Sequence, residues 1–106
     1  MFKADKSDIV NVTEGALDAI WMWQCGFPNT LAFLGGPSAE QIEHMFEFGG
    51  RFRLCLDADA GGREMTNKLF TAIEKKGLGS IFVNLPEGKD VQDLSFEELI
   101  KLIKSY

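Results

Sequence analysis

Arg51-Phe52-Arg53-Leu54-Cys55-Leu56-Asp57-Ala58-Asp59-Ala60-Gly61-Gly62-Arg63 is the stretch on which the reading of the fold turns. From Arg51 to Asp57 the residues alternate as a strand does, with Phe52, Leu54 and Leu56 on one side and Cys55 on the other. Ala58 to Gly62 reads as a loop. From Arg63 to Lys76 the apolar spacing becomes helical, with Met65, Leu69, Ala72 and Ile73 on one face. Lys75-Lys76-Gly77 closes that helix with a cationic last turn and a glycine C-cap. The unit is therefore strand, acidic loop, helix.

The same unit recurs on both sides. Upstream, Asp8 to Thr13 carries β-branched Ile9, Val10 and Val12 and reads as a strand. Gly15 to Cys25 follows as a helix, with Leu17, Ile20, Trp21 and Gln24 on one face and Ala16, Ala19 and Trp23 on the adjacent one. Gly26-Phe27-Pro28-Asn29 stops it. Thr30 to Leu34 is a second strand, Gly35-Gly36-Pro37 a turn, and Ser38 with Gln41 a capping box for a helix from Ala39 to about Phe48. Downstream, Ser80 to Leu85 is a fourth strand and Pro86 to Asp90 a loop. Ser95 with Glu98 caps a last helix ending near Lys104.

Strand then helix, four times, predicts a three-layer α/β fold of Rossmann-like type, a parallel four-stranded sheet with helices on both faces. At 106 residues the chain reads as one domain over 1–106, with its core over about 8–104. Apolar residues are 45% and charged residues 25%, the balance of a globular protein, and no apolar run approaches the ~20 residues of a membrane span. Met1 to Lys6 has no apolar core, so it does not read as a secretory signal. Two cysteines make no disulfide framework, and a reducing, cytoplasmic compartment is expected. Sixteen acids against eleven lysines and arginines give a net charge of −5. A surface of that sign repels a phosphate backbone, so any phosphate chemistry here requires a cation from elsewhere.

The acids are not spread evenly. In open parallel sheets, ligands bind beyond the carboxyl ends of the strands. Glu14 and Asp18 follow strand one, Asp57 and Asp59 follow strand three, and Asp90 and Asp93 follow strand four. Crowding six carboxylates at one edge costs repulsion that a cation offsets. Taken singly, each also has a bland reading as a loop, cap or first-turn acid. Asp57 and Asp59, two apart, project to the same side of an extended segment and suit Mg²⁺, which takes few protein oxygens and keeps several waters. Neither His nor Cys joins the set, which disfavours softer metals. If strands one and three share the cation they are neighbours, and the strand order is 2-1-3-4.

Three stretches together resemble the Toprim domain of bacterial DNA primases, topoisomerases, OLD-family nucleases and ribosomal-RNA maturation nucleases. They are Glu14-Gly15-Ala16-Leu17-Asp18, Leu56 to Arg63, and Pro86-Glu87-Gly88-Lys89-Asp90. The primase branch is the most similar, and Gly35 matches a glycine turn of its pattern. The resemblance runs from about Ile9 to Leu94. Between Asp59 and Arg63 this chain has one residue more than a tight Ala-Gly-Arg.

The resemblance implies Mg²⁺, or Mn²⁺ in its place, on Asp57, Asp59 and Asp90. Glu14 becomes the general acid/base or a member of the metal shell, and Asp18 and Asp93 secondary acids. Arg63 and Lys89, the cations nearest the acids in sequence, become the groups that steady a phosphate. The implied chemistry is nucleotidyl or phosphoryl transfer, or phosphodiester cleavage, on nucleic acid reached through the metal. Other domains or proteins of a replication or repair complex are the implied partners. The chain shows no Cys/His zinc module, and its single tyrosine, Tyr106, is terminal. Primer synthesis by these residues alone is therefore not expected, and the chain reads as a small stand-alone Toprim protein or a piece of a longer one. The alternative is a module that binds Mg²⁺ and nucleic acid, or a partner protein, without turnover. A signalling receiver domain fits less well: it needs paired acids on strand one and a lysine after a fifth strand, and here the pair follows strand three.

Overall fold

A computed structural model of the chain describes residues 9–33, 37–57 and 59–104. Four strands, β1 (Ile9–Thr13), β2 (Thr30–Ala32), β3 (Arg51–Cys55) and β4 (Gly79–Phe82), alternate with helices α1 (Ala16–Gln24), α2 (Ala39–Met45), α3 (Ala60–Lys75) and α4 (Phe96–Lys104). A single 3₁₀ turn, Val91–Asp93, precedes α4. The strands form one parallel sheet in the order β2-β1-β3-β4. The expected topology and layering are thus observed. No helix among the described residues is long and apolar enough to cross a membrane.

Side-chain alternation along β1 and β3 divides the core. Val10, Val12, Phe52 and Leu54 point to one face, where Ile42 and Met45 of α2 and Met65, Leu69 and Ile73 of α3 cover them. Cys55 points to the other, where it meets Met22 of α1 and Cys25 just beyond it, Leu99 and Ile103 of α4, and Val91 and Leu94. Phe52, Leu69 and Leu99 are fully buried. Each such side chain contributes about 1.5–3 kcal/mol relative to exposure. The register sets Thr13 level with Ala32 on one side and Cys55 on the other, so the strands end together. The residues that follow β1 and β3, Glu14 and Asp57 among them, therefore leave the sheet side by side.

Several boundaries differ from expectation. α3 begins at Ala60, inside the stretch read as a loop, because the Asp59 carboxylate accepts the Gly62 amide and starts the helix three residues early. β3 and β4 end at Cys55 and Phe82, short of the expected Asp57 and Leu85. One further ladder bond, from the Val83 amide to the Leu54 carbonyl, is made before the segments part. α2 stops at Met45 rather than Phe48. Asp8, Leu34, Gly35 and Gly36 lie outside the described residues.

The face of α1 is the larger surprise. Its buried residues are Asp18, Ala19 and Met22, whereas Leu17 is 62% exposed and Ile20 and Trp23 are also exposed. Trp21 is packed at the rim and donates its indole N–H to the Leu94 carbonyl at 2.9 Å. The helix is turned so that Asp18 faces inward, toward the acids of the neighbouring loops.

Candidate metal centre

Three segments build the centre, each leaving the carboxyl edge of the sheet. After β1 the chain turns at Gly15, the N-cap of α1. The turn is braced by buried Thr13, whose hydroxyl lies 3.3 Å from the carbonyls of Gly15 and Leu31. It is closed by Asp18, whose Oδ2 accepts the Gly15 amide at 3.3 Å. The other oxygen, Oδ1, accepts the main-chain amide of Gln92 at 3.1 Å. Asp18, only 4% exposed, thus ties the first loop to the last across the top of the sheet.

After β3, Asp57 sits where the strand has just ended. Gly62, in the first turn of α3, lies against its backbone: a Cβ at Gly62 would fall 1.9 Å from the Asp57 carbonyl oxygen. Only glycine allows that approach. Asp59 caps α3, with its Oδ1 2.7 Å from the Gly62 amide. After β4, Asp90 caps the 3₁₀ turn in a reciprocal arrangement. Its Oδ1 accepts the Asp93 amide at 3.1 Å, while Asp93 Oδ2 accepts the Asp90 amide at 3.0 Å.

The result is two groups of carboxylates that share one member. Glu14, Asp57 and Asp59 each offer an oxygen within 4.8 Å of the others', and so do Asp18, Asp57 and Asp90. Glu14 Oε1 and Asp57 Oδ1 are buried with no hydrogen-bond partner. Two ionised carboxylates cannot donate to each other, so these oxygens require a proton or a cation. Asp57 bears the strain. Burial first, then a hydrogen bond shared with Glu14, then the charges of Glu14, Asp90 and Asp59 push it up to about 7. Asp18 is also raised, chiefly by burial and further by the charges of Asp90 and Asp57, against the lowering effect of its two amide bonds. An all-oxygen donor set of this kind fits a hard divalent cation and offers no imidazole or thiolate to a softer one.

Of the residues singled out in the sequence, Glu14, Asp18, Asp57, Asp59 and Asp90 come together. Asp93 stands outside both groups and serves the backbone of Asp90. Arg63 is exposed on the first turn of α3, beside Asp57 in the lining of one cavity. Lys89 is exposed, and its charge helps lower Glu98 behind the two Ser95 hydrogen bonds that chiefly do so. Gln92 has no counterpart among the sequence expectations. It acts on Asp18 through its main chain, which no side-chain pattern announces.

A parallel sheet in this order with a carboxylate centre at its carboxyl edge defines a doubly wound α/β domain built around an acidic site. A family model described as Toprim-like matches residues 11–95. The chain belongs to the Toprim-like family, and its Toprim domain is of the DNA primase type. It is 33% identical over 92 residues to a DNA primase of Pseudomonas aeruginosa, covering 86% of this chain and 13% of the relative. It is 28% identical over 101 residues to DNA primase DnaG of Archaeoglobus fulgidus, covering 95% of this chain and 24% of the relative. Among solved structures, a DNA primase domain from P. aeruginosa superposes with a TM-score of 0.78 at 29% identity, over 94% of this chain and 32% of that one. The zinc-binding and RNA polymerase domains of Aquifex aeolicus primase give 0.77 at 26% identity, over 92% and 25%. The chain therefore spans a quarter or less of the curated relatives cited.

Proposed function

We propose that this domain carries out Mg²⁺-dependent phosphoryl or nucleotidyl transfer, or phosphodiester cleavage, on nucleic acid, with Mn²⁺ able to replace Mg²⁺. The observation that carries the reading is the pair of carboxylate groups joined at Asp57, with buried unpartnered oxygens on Glu14 and Asp57. Asp57 would hold the metal, with Asp59 as its partner in one carboxylate group and Asp90 in the other. When bound, such an ion neutralises phosphate oxygens and polarises the phosphorus, which answers the repulsion expected of a chain with net charge −5.

The chain's own residues do the rest. Glu14 takes or returns a proton at Oε1, the oxygen left without a partner. Asp18 orients the first and last loops toward Asp57 through its two amide bonds. Asp93 holds Asp90 in place from behind. Arg63 and Lys89 bind phosphate oxygens, a contact strengthened by charge.

A second reading has its own support. The chain covers only 25–32% of the primase structures cited, so it also suits a metal- and nucleic-acid-binding module of a larger replication or repair protein, with turnover completed elsewhere. Titration of the ¹⁵N-labelled chain with Mn²⁺ tests the metal reading. Paramagnetic broadening is expected first at the amides of Glu14, Asp57, Asp59 and Asp90, and lost in Asp57→Asn. Broadening elsewhere, or unchanged in that variant, refutes it. Glu14→Gln then separates the two readings, assayed for metal-dependent cleavage or extension of a single-stranded oligonucleotide. Turnover by the wild type that the variant loses while still binding Mn²⁺ supports the catalytic reading. No turnover by either supports the module.

A further inference from the structure

Arg53 stands in the middle of β3, on the same side of the strand as Cys55 and so on the sheet face that α1 and α4 cover. It is half-buried, an unusual place for a guanidinium in a parallel sheet. Across the ladder its register partner is Asn11 of β1, itself only 3% exposed. Arg53 Nη1 donates to Asn11 Oδ1 at 2.8 Å. Asparagine is neutral, so this bond orients the guanidinium and leaves its charge in place. Arg53 Nε is buried with no hydrogen-bond partner, and Nη2 has none among the described residues. Nε and Nη2 together form the side edge of the fork, the edge that grips two oxygens of an oxyanion in parallel.

No described carboxylate balances this charge. The ion pairs among the described residues lie elsewhere and join His44 to Glu47 and Lys76 to Glu43. Burial lowers the Arg53 pKa first, Cys55 opposes that, and the like charge of Arg51 adds to it. The Cys55 thiol, pushed up by burial to about 12, is neutral near pH 7 and gives no counter-charge there. Arg51, two residues back on the same side of β3, is exposed and brings a second positive charge. A bound water satisfies Nε but neutralises nothing, and a half-buried charge without a partner is costly. The missing partner is therefore an anion. A carboxylate or a phosphodiester carries one charge and leaves one of the two arginines uncompensated. A terminal phosphate group carries close to two and compensates both.

We propose that Arg53 and Arg51 form a site for a terminal phosphate group, separate from the metal centre. Two of its oxygens pair with Nε and Nη2 of Arg53, and a third faces the guanidinium of Arg51. Inorganic phosphate and the phosphomonoester of a small metabolite share this chemistry. The site does not depend on the metal reading, since no carboxylate of the acidic centre takes part in it.

The test is an NMR titration of the ¹⁵N-labelled chain with methyl phosphate, inorganic phosphate and acetate, with chelator present and ionic strength held constant. At about pH 7 a phosphate monoester is above its second pKa of about 6. Methyl phosphate is expected to shift the Arg53 Nε–H signal and the amides of Asn11 and Arg53 saturably. Acetate should reach the same signals about two- to fivefold more weakly, the worth of one exposed ion pair. Arg51→Gln, at an exposed position, should erase that difference. The paired variant Asn11→Val/Arg53→Met should lose the saturable shifts. Replacing both partners by apolar groups keeps the fold, which an unchanged amide spectrum elsewhere confirms. Inorganic phosphate binding tighter than the ester supports the free anion as ligand, and the reverse supports a phosphomonoester. Absence of a saturable shift at Arg53 Nε–H in the wild type, or shifts that persist in the paired variant, overturns the proposal. So does acetate binding as tightly as methyl phosphate.

Discussion

Asp57→Asn should raise the stability of the metal-free domain and abolish its response to Mg²⁺. The first effect follows from linkage. The Asp57 carboxyl is pushed from 3.8 to about 7 in the folded chain, so between those values the folded state holds a proton that the unfolded state has lost. Stability therefore falls as pH rises through that window, and the whole penalty is present above about pH 7. Asparagine does not titrate, keeps the shape, and can donate its amide to the unpartnered Glu14 Oε1. At about 1.4 kcal/mol per pH unit the ceiling is about 4 kcal/mol. Asp57 is reached by solvent and salt, and screening reduces the gain to about 1 kcal/mol. That corresponds to a rise of roughly 4–8 °C in melting temperature for a domain of this size.

The second effect has the opposite sign. With a dissociation constant near ~1 mM, about 10 mM Mg²⁺ stabilises the wild type by RT ln 11, about 1.4 kcal/mol, or roughly 6–11 °C. The variant lacks the acid common to both carboxylate groups and should show little of that rise. Melting curves by circular dichroism at about pH 8, with and without Mg²⁺, should find the variant above the wild type without metal and at or below it with metal. The metal-free advantage should shrink as pH falls from about 7 toward 3.8 and vanish below 3.8, where Asp57 becomes protonated in both states. Asp59→Asn should lose the Mg²⁺ response too while sparing α3, since asparagine caps a helix about as well as aspartate. A variant that is less stable without metal and keeps the full Mg²⁺ response would refute the reasoning, for Asp57 would then be a turn-forming residue.

Gly62→Ala should cost about 1–3 kcal/mol in urea denaturation, because its Cβ would meet the Asp57 carbonyl at 1.9 Å, and should reduce the Mg²⁺ response by displacing Asp57. Gly61→Ala is the control: its nearest neighbour would be 3.6 Å away, so it should be neutral or stabilising by up to about 1 kcal/mol. In a gel-shift assay the isolated chain, with net charge −5, should bind DNA or RNA more weakly than ~10⁻⁶ M at physiological salt, better with Mg²⁺ or Mn²⁺ and not at all with chelator. Tight binding that ignores chelator would reveal a basic surface.

Topology and core were legible because they rest on patterns repeated along the chain. The alternation Phe52-Leu54-Leu56 and the helical spacing Met65-Leu69-Ile73 each place residues that are buried in the structure. Misreadings arose where one local interaction outweighed the pattern. The glycine pair at 61–62 reads as a loop by composition, yet a single carboxylate from Asp59 makes it the first turn of α3. On α1, the spacing put Leu17, Ile20, Trp21 and Gln24 on one face and Ala16, Ala19 and Trp23 on the next, but the buried set is Asp18, Ala19 and Met22. Bringing Asp18 inward gives its oxygens the amides of Gly15 and Gln92, and leaves Leu17, Ile20 and Trp23 on the outside. The partner residue lies 74 positions away and contributes only backbone, so no sequence window contains the pair. Asp93 was grouped with the site by its position after β4. A residue three past an acidic cap is equally placed to reach back to the cap's amide, and that is the bond it makes.

The same comparison explains why Asp57, rather than any other acid, is the junction of the site. Asp18 satisfies its oxygens with two amides, Asp59 uses one oxygen on the Gly62 amide, and Asp90 uses one on the Asp93 amide. Each of these three is anchored by the element it begins or joins, and each helps to pay for its charge locally. Asp57 follows a strand that has ended, and the helix after it is capped by Asp59 rather than by Asp57. Gly62 presses on its backbone and fixes where it stands, while Glu14 arrives beside it because Thr13 pairs with Cys55 in the register of β1 and β3. The sheet thus delivers one carboxylate to a position where neighbouring acids surround it and one of its oxygens lacks a partner. A divalent cation bound as proposed would compete with a proton for that position near neutral pH, and its two charges would relieve more of the repulsion than a single proton can.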